Sequence, residues 1–307
     1  MPLAPIALFV YRRLEHTRKT VEALQNNKLA QESDLIVFSD APKNEAARTD
    51  VEAVRQYLKT INGFKSLRLV NREKNLGLSR SIISGVTEVL EQYGKIIVLE
   101  DDLITSPYFL IYLNDGLDLY ENEEKVISLH AYTYPVKTKM PETFFLKGAD
   151  CWGWATWRRG WQLFEADGRK LLEELQAKKL NRAFDLDNSY PYTLMLKSQI
   201  KGFNDSWAIR WHASAFLKNR LTLYPGTSLV RNAGFDGMGT NTHNRWGDIF
   251  QGKISQEPIK LERIPAEENE FARRAVIKYF RSPRLYLTSC FSRLKYYFRA
   301  LKKIYAH

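Results

Sequence analysis

The chain has 307 residues, 44% of them apolar and 26% charged, enough for one large or two small domains and ordinary for a soluble globular protein. Two cysteines, Cys151 and Cys290, exclude a disulfide framework. No basic leader precedes an apolar run and no window nears the ~18 apolar residues of a spanning helix, so a cytoplasmic protein is expected. The net charge of +11 is concentrated at one end: residues 271–307 hold ten Lys or Arg and no Asp or Glu, against 36 basic and 35 acidic residues elsewhere, which argues against nucleic acid as a partner of the body.

Ile6 to Tyr11 is a short apolar run that predicts a first strand, and residues 15–27 follow with helical spacing. Leu35 to Ser39 predicts a second strand, ending at Asp40. Val51, Val54, Tyr57, Leu58 and Ile61 predict a helix. Leu67 to Val70 predicts a third strand and Leu78 to Tyr93 a third helix, and Ile96 to Leu99 is a fourth, strongly β-branched run. Strands alternating with helices of this length mean βαβ units and a parallel sheet.

The alternation breaks after residue 105. Ser106-Pro107 predicts a helix start, with Ser as N-cap. Short strands are expected at 126–129, 144–146 and 221–223, and helices at 169–180, 189–200 and 207–218. The stretch 225–247, rich in Gly, Asn and Thr, is expected to be a loop.

The fourth strand runs straight into Glu100, Asp101 and Asp102. Lone charges are too costly to bury, so these acids must emerge at the strand's carboxyl end, where open α/β sheets bind ligands. Three carboxylates there call for a cation, and an all-oxygen ligand set suits Mg²⁺ or Mn²⁺. Asp40 ends the second strand on the same edge, and Tyr11 and Arg13 follow the first. Tyrosine offers a stacking face, arginine a fork of donors, and aspartate an acceptor for a base or ribose. Asn75-Leu76-Gly77 is a tight turn into the third helix, with Arg80 in the first helical turn, in reach of a pyrophosphate. No GxGxxG and no GK[ST] loop is present, which sets aside dehydrogenase and P-loop readings.

The NLG turn with its helix and the run IIVLEDDLITSPYFLIYL resemble the nucleotide-binding half of GT-A-fold glycosyltransferases. The likeness is to the N-acetylglucosaminyltransferase I-like group and to bacterial family 2 enzymes, over roughly residues 5–245 and most specifically at 96–112. It implies a GT-A-like α/β fold, a Rossmann-like, mostly parallel sheet between helices. It implies that Asp102 binds Mn²⁺ or Mg²⁺ on the donor diphosphate, that Asp101 contacts the ribose, and that Arg13 and Asp40 contact the nucleoside. A late histidine completes the metal shell in some of these enzymes, a role that falls to His243.

In 148–161, GADCWGWATWRRGW, the tryptophans read either as core or as a platform for a sugar ring, and Trp152 and Trp154 are the acceptor candidates. Asp205 lies 103 positions after Asp102, next to Trp207. By resemblance it is the base that takes the acceptor hydroxyl's proton, with Asp150 as its closest competitor and an N-cap as its ordinary alternative. Leu287, Phe291, Leu294, Phe298, Leu301 and Tyr305 alternate with basic residues, the pattern of an amphipathic helix that either lies on an anionic membrane surface, peripheral on the inner face of the plasma membrane, or packs on the body or a partner.

The expectation is a metal-dependent inverting glycosyltransferase that moves a sugar from a nucleotide sugar, UDP-sugar favoured, to a glycan or glycolipid hydroxyl. The catalytic domain is expected over 1–260, divided at 105 into nucleotide and acceptor halves, with a basic helical tail over 261–307. The alternatives are a sugar-nucleotide nucleotidyltransferase, disfavoured because no Gly-rich signature follows the first strand, and a non-catalytic nucleotide-sugar or polyanion binder.

Overall fold

A computed structural model of the chain describes residues 2–235, 249–285, 287 and 296. Its first half is the alternation expected: β1 (Ile6–Val10), α1 (Leu14–Gln25), β2 (Asp34–Ser39), α2 (Arg48–Leu58), β3 (Ser66–Asn71), α3 (Leu78–Tyr93) and β4 (Lys95–Glu100). β1 is buried along its whole length, which is why its residues are uniformly apolar rather than alternating. Glycines bound α3: Gly77 before it at φ 75° and Gly94 after it in the left-handed conformation at φ 79°.

The second half runs β5 (Leu103–Thr105), α4 (Phe109–Leu119), β6 (Val126–His130), β7 (Thr143–Lys147), β8 (Trp154–Trp157), α5 (Arg158–Trp161), α6 (Gly168–Ala177), α7 (Asn181–Phe184), α8 (Tyr192–Ile200), α9 (Trp207–Leu217), β9 (Leu221–Pro225), β10 (Val230–Asn232) and α10 (Glu270–Phe280). Eight strands form one mixed, mostly parallel sheet in the order β3-β2-β1-β4-β8-β6-β9-β7, flanked by helices. β5 and β10 pair separately and antiparallel.

Three features differ from the sequence expectation. The Trp-rich stretch contributes β8, which inserts antiparallel between β4 and β6. The helix expected to open at Ser106 begins at Phe109 instead. Ser106 makes a turn, its Oγ accepting from the Tyr108 N–H at 3.2 Å, and Asn27 Oδ1 supplies the cap by accepting from the Leu110 N–H at 3.1 Å. Residues 261–285, placed in the tail by composition, pack on the body. The Ile264 N–H donates to the Tyr120 hydroxyl, the Asn269 N–H to the Phe145 carbonyl, and Phe280 is buried against Phe144 and Tyr224. The amphipathic pattern beyond 287 lies almost entirely outside the described residues, among which no helix is long and apolar enough to cross a membrane.

Candidate active site

The sheet's register decides which residues meet. Val10 pairs with Ser39, and Phe9 with Glu100, so three parallel strands end at one level. β8 runs the other way, and Trp154 pairs with both Val98 and His130. The segment before β8 and the segment after β6 therefore reach that same edge. A cavity of about 1040 Å³ opens there. It is lined by Tyr11, Arg13, Asp40, Asn75, Glu100, Asp101, Asp102, Trp152 and Asp205, nine of the expected site residues.

Arg13 binds the acidic triplet. Its Nε lies 3.3 Å from Asp101 Oδ2, its Nη2 donates to Asp101 Oδ1, and the same Nη2 donates to Asp102 Oδ2 at 2.9 Å. Its Nη1 is buried with no partner among the described residues. Burial works against the guanidinium's charge, but Asp101 and Asp102 outweigh it and raise the pKa. Burial pushes Asp101 up against the pull of Arg13. Glu100 is pushed up too, by burial and then by Asp102 and Asp101, despite Arg13 and a hydrogen bond from Trp207.

Asp40 plays a different part from the one expected. Its Oδ1 accepts from the N–H groups of Ala41 and Leu76, and its Oδ2 from the Gly77 N–H and Asn75 Nδ2, all at 2.9–3.1 Å. A carboxylate has about four acceptor positions, and all are taken. Asp40 therefore clamps the 75–77 turn at the cavity rather than contacting a nucleoside.

Two further expectations are corrected. Arg80 is exposed and does not line the cavity. Its neighbours Ser79 and Ser81 are both buried, Ser79 against Arg210 and Ser81 at the cavity. Trp154 is fully buried among Trp161, Trp207 and Trp211, so it packs the core and offers no face to a sugar. Trp152 does line the cavity, edge-on to Tyr132 at 4.7 Å. His243 lies outside the described residues.

Asp205 sits at the cavity with its side chain 67% exposed and one oxygen 3.8 Å from Arg210. The N-cap of α9 is its neighbour Ser206, which accepts from the Ile209 N–H. The other carboxylate is Asp150, whose Oδ2 accepts from the hydroxyls of Tyr134 at 3.1 Å and Tyr224 at 3.2 Å. Sequence reasoning missed Tyr134, Tyr190 and Tyr192, which also line the cavity, and the Trp207 bond to Glu100. The only signals were the doublets Tyr132-x-Tyr134 and Tyr190-x-Tyr192, which need the fold to bring them together.

Gly234 closes over Asp102. The Ala233 N–H donates to the Asp102 carbonyl at 2.7 Å, and a Cβ at Gly234 would fall 2.3 Å from Asp102 Oδ2. Gly234→Ala must displace either that carboxylate or the 232–235 segment. It is expected to cost about 1–3 kcal/mol of stability, the range for overpacking, read by urea denaturation.

Among the described residues no three His, Cys, Asp or Glu side chains come together as a metal-binding group. Among the described residues, Asp102 Oδ1 has no protein donor, while Oδ2 accepts from Arg13. One hard oxygen suits a divalent ion whose other ligands are substrate phosphates and water, and it does not make a cage of protein alone.

No protein-family model matches the chain, and no curated protein is similar to it. Among solved structures it is similar to TarS of S. aureus, at 13% identity and TM-score 0.39 over 75% of this chain. It spans 37% of that TarS chain, little more than a third. It is similar to the mannosyltransferase PcManGT of Pyrobaculum calidifontis, in complex with GDP-Man and Mn²⁺, at 11% identity and TM-score 0.37, covering 70% of this chain and 72% of that one. It is also similar to glucosyl-3-phosphoglycerate synthase of Mycobacterium tuberculosis, in complex with Mn²⁺, UDP-Glc and phosphoglyceric acid, at 12% identity and TM-score 0.30, covering 52% and 58%.

Proposed function

We propose that the chain is a GT-A-like glycosyltransferase whose cavity binds a nucleoside diphosphate sugar and transfers the sugar to a hydroxyl acceptor. The observation that carries this reading is the meeting of Arg13, Asp101 and Asp102 with the Asp40-clamped turn on one edge of the sheet. Three carboxylates alone would repel a diphosphate. Arg13, with Nη1 still unpartnered, and the N-terminus of the 16-residue α3 supply positive potential beside them. Tyr11 and Asn75 line the side where a nucleoside would lie. Mn²⁺ or Mg²⁺, held by Asp102 and the diphosphate, would act as a Lewis acid for the leaving group.

The acceptor hydroxyl attacks the anomeric carbon, and a carboxylate of the cavity takes its proton. Direct displacement inverts that centre. UDP is the favoured nucleotide, on the resemblance of the EDD segment. The test is a thermal-shift screen of UDP, GDP, CDP and dTDP with and without Mn²⁺, on wild type and Asp102→Ala. One nucleotide is expected to stabilise the wild type in a metal-dependent way, by about 2.7 kcal/mol at a hundredfold excess over Kd. That shift should vanish in Asp102→Ala. The absence of a shift with all four overturns the reading, and a retained anomer in the product's NMR spectrum overturns direct displacement.

A further inference from the structure

Beyond the acidic triplet the cavity continues into an aromatic chamber assembled from four separate segments. Tyr132 and Tyr134 follow β6, Trp152 precedes β8, Tyr190 and Tyr192 flank the start of α8, and Phe280 ends α10. The rings pack on one another: Tyr132 on Trp152 at 4.7 Å, Tyr134 on Phe280 at 4.9 Å, and Tyr190 on Tyr192 at 4.6 Å. Asp150 is the carboxylate among them. Two tyrosine hydroxyls occupy its Oδ2, and Oδ1 has no partner among the described residues.

The chamber's charge restricts what can enter. Among the described residues, the Lys and Arg side chains that line the cavity are Arg12, Arg13 and Lys43, and they follow β1 and β2, on the nucleotide side. His130 and His212 border the chamber, and burial holds both neutral, pushed down to about 3 and about 4. An anionic group would meet Asp150 with no cation among the described residues to pair it. An uncharged ring could lay a C–H face on the aromatics and donate a hydroxyl to the free carboxylate oxygen.

We propose that this chamber is the acceptor pocket, that it takes an uncharged sugar ring, and that Asp150 rather than Asp205 receives the proton of the attacking hydroxyl. The proposal rests on the glycosyl-transfer reading above. Asp150 borders the donor side: Asp150, Cys151, Glu100, Asp101 and Asp102 line one continuous cavity. Burial pushes Asp150 up to about 6, against the two tyrosine hydrogen bonds, into the range where a general base works well near neutral pH. Asp205 is solvated and shares its charge with Arg210. In the step, the acceptor O–H bond breaks and its proton goes to Asp150. The oxygen's electron pair forms the new bond to the anomeric carbon. The bond to the diphosphate breaks, and that pair leaves with the nucleoside diphosphate.

The test uses wild type, Asp150→Asn and Asp205→Asn of the full chain. Each is first assayed for the thermal shift by nucleotide and Mn²⁺. Saturation-transfer NMR with nucleotide and Mn²⁺ present then probes methyl glucoside, methyl N-acetylglucosaminide and glucuronate. Transfer to whichever neutral glycoside binds is measured last. Asp150→Asn is expected to keep the nucleotide shift and lose transfer by a hundredfold or more, while Asp205→Asn loses less than tenfold. Wild type is expected to show contact signals from a neutral glycoside and none from glucuronate. Should Asp150→Asn fail to fold, Asp150→Glu takes its place in the transfer assay and the wild-type NMR comparison still tests the pocket. Transfer by Asp150→Asn within threefold of wild type, glucuronate signals equal to the neutral ones, or no glycoside signal at all overturns the proposal. A missing nucleotide shift in wild type instead overturns the glycosyl-transfer reading beneath it.

Discussion

Truncating Trp154 to alanine is expected to cost about 3–5 kcal/mol of stability, the range for removing a fully buried aromatic side chain. Trp154 is 0% exposed, its ring 5.4 Å from Trp207 and within 6 Å of Trp161 and Trp211. The neighbours belong to two separate elements, α5 and α9, so they cannot all collapse into the space. Its Nε1 is buried with no partner among the described residues, and an unmade hydrogen bond there costs about 1–3 kcal/mol. Trp154→Phe removes that orphan donor with part of the ring, and the two effects oppose. Its loss should stay below about 1.5 kcal/mol, as for other volume-near core swaps. Trp152→Ala is the contrasting case: a half-buried ring on the cavity wall, expected to cost less than about 2 kcal/mol while weakening acceptor binding. Urea denaturation of the three variants checks the order. Equal destabilisation by Trp152→Ala and Trp154→Ala would contradict the division of this cluster into wall and core.

That division shows what the sequence could and could not convey. β1, β2 and β4 were legible because strands buried on both faces must be short, apolar and β-branched, and their carboxyl ends could be aligned from parallel topology alone. The meeting of Arg13 with Asp101 and Asp102 followed from it. β8 was not legible: a four-residue strand whose pairing with β4 and β6 depends on segments more than twenty residues away carries no local period. Without β8 there was no way to tell which indole faced the core. Trp154 pairs with Val98 in the sheet, whereas Trp152 is still in the approach to it.

Asp40 and Arg80 failed for another reason. An aspartate after a strand suits a ligand and a turn equally well, and the choice lies in which backbone N–H groups point at it. Here Leu76 and Gly77, 36 and 37 residues away, settle it. Arg80 is in the first turn of α3 as expected, but a helix turns 100° per residue, and position 80 faces outward while its neighbours Ser79 and Ser81 are buried. The tyrosines around Asp150 come from three segments spread over residues 132–224, so their grouping is a property of the fold alone.

Replacing Arg13 by methionine is expected to destabilise the protein by about 3 kcal/mol near pH 8, the lower end of the range for breaking a buried ion pair, since the guanidinium keeps some contact with solvent. Asp101 and Asp102, only 5% and 8% exposed, would be left without their cation. Arg13→Met/Asp101→Asn should recover most of the loss, because deleting both partners removes the uncompensated charge. The pH dependence gives a second reading. Arg13 pulls both Asp101 and Glu100 downward, so its removal raises them further above their unfolded values. Between the unfolded carboxylate range, roughly pH 4, and those raised values the native state binds more protons than the unfolded state, and stability falls as pH rises. The variant's deficit should therefore shrink steadily from pH 8 toward pH 5, where protonation does what Arg13 no longer can. Urea midpoints of wild type and variant across that interval measure it. A deficit that stays constant or grows on acidification would mean that Arg13 acts through packing of its stem and not by balancing the triplet.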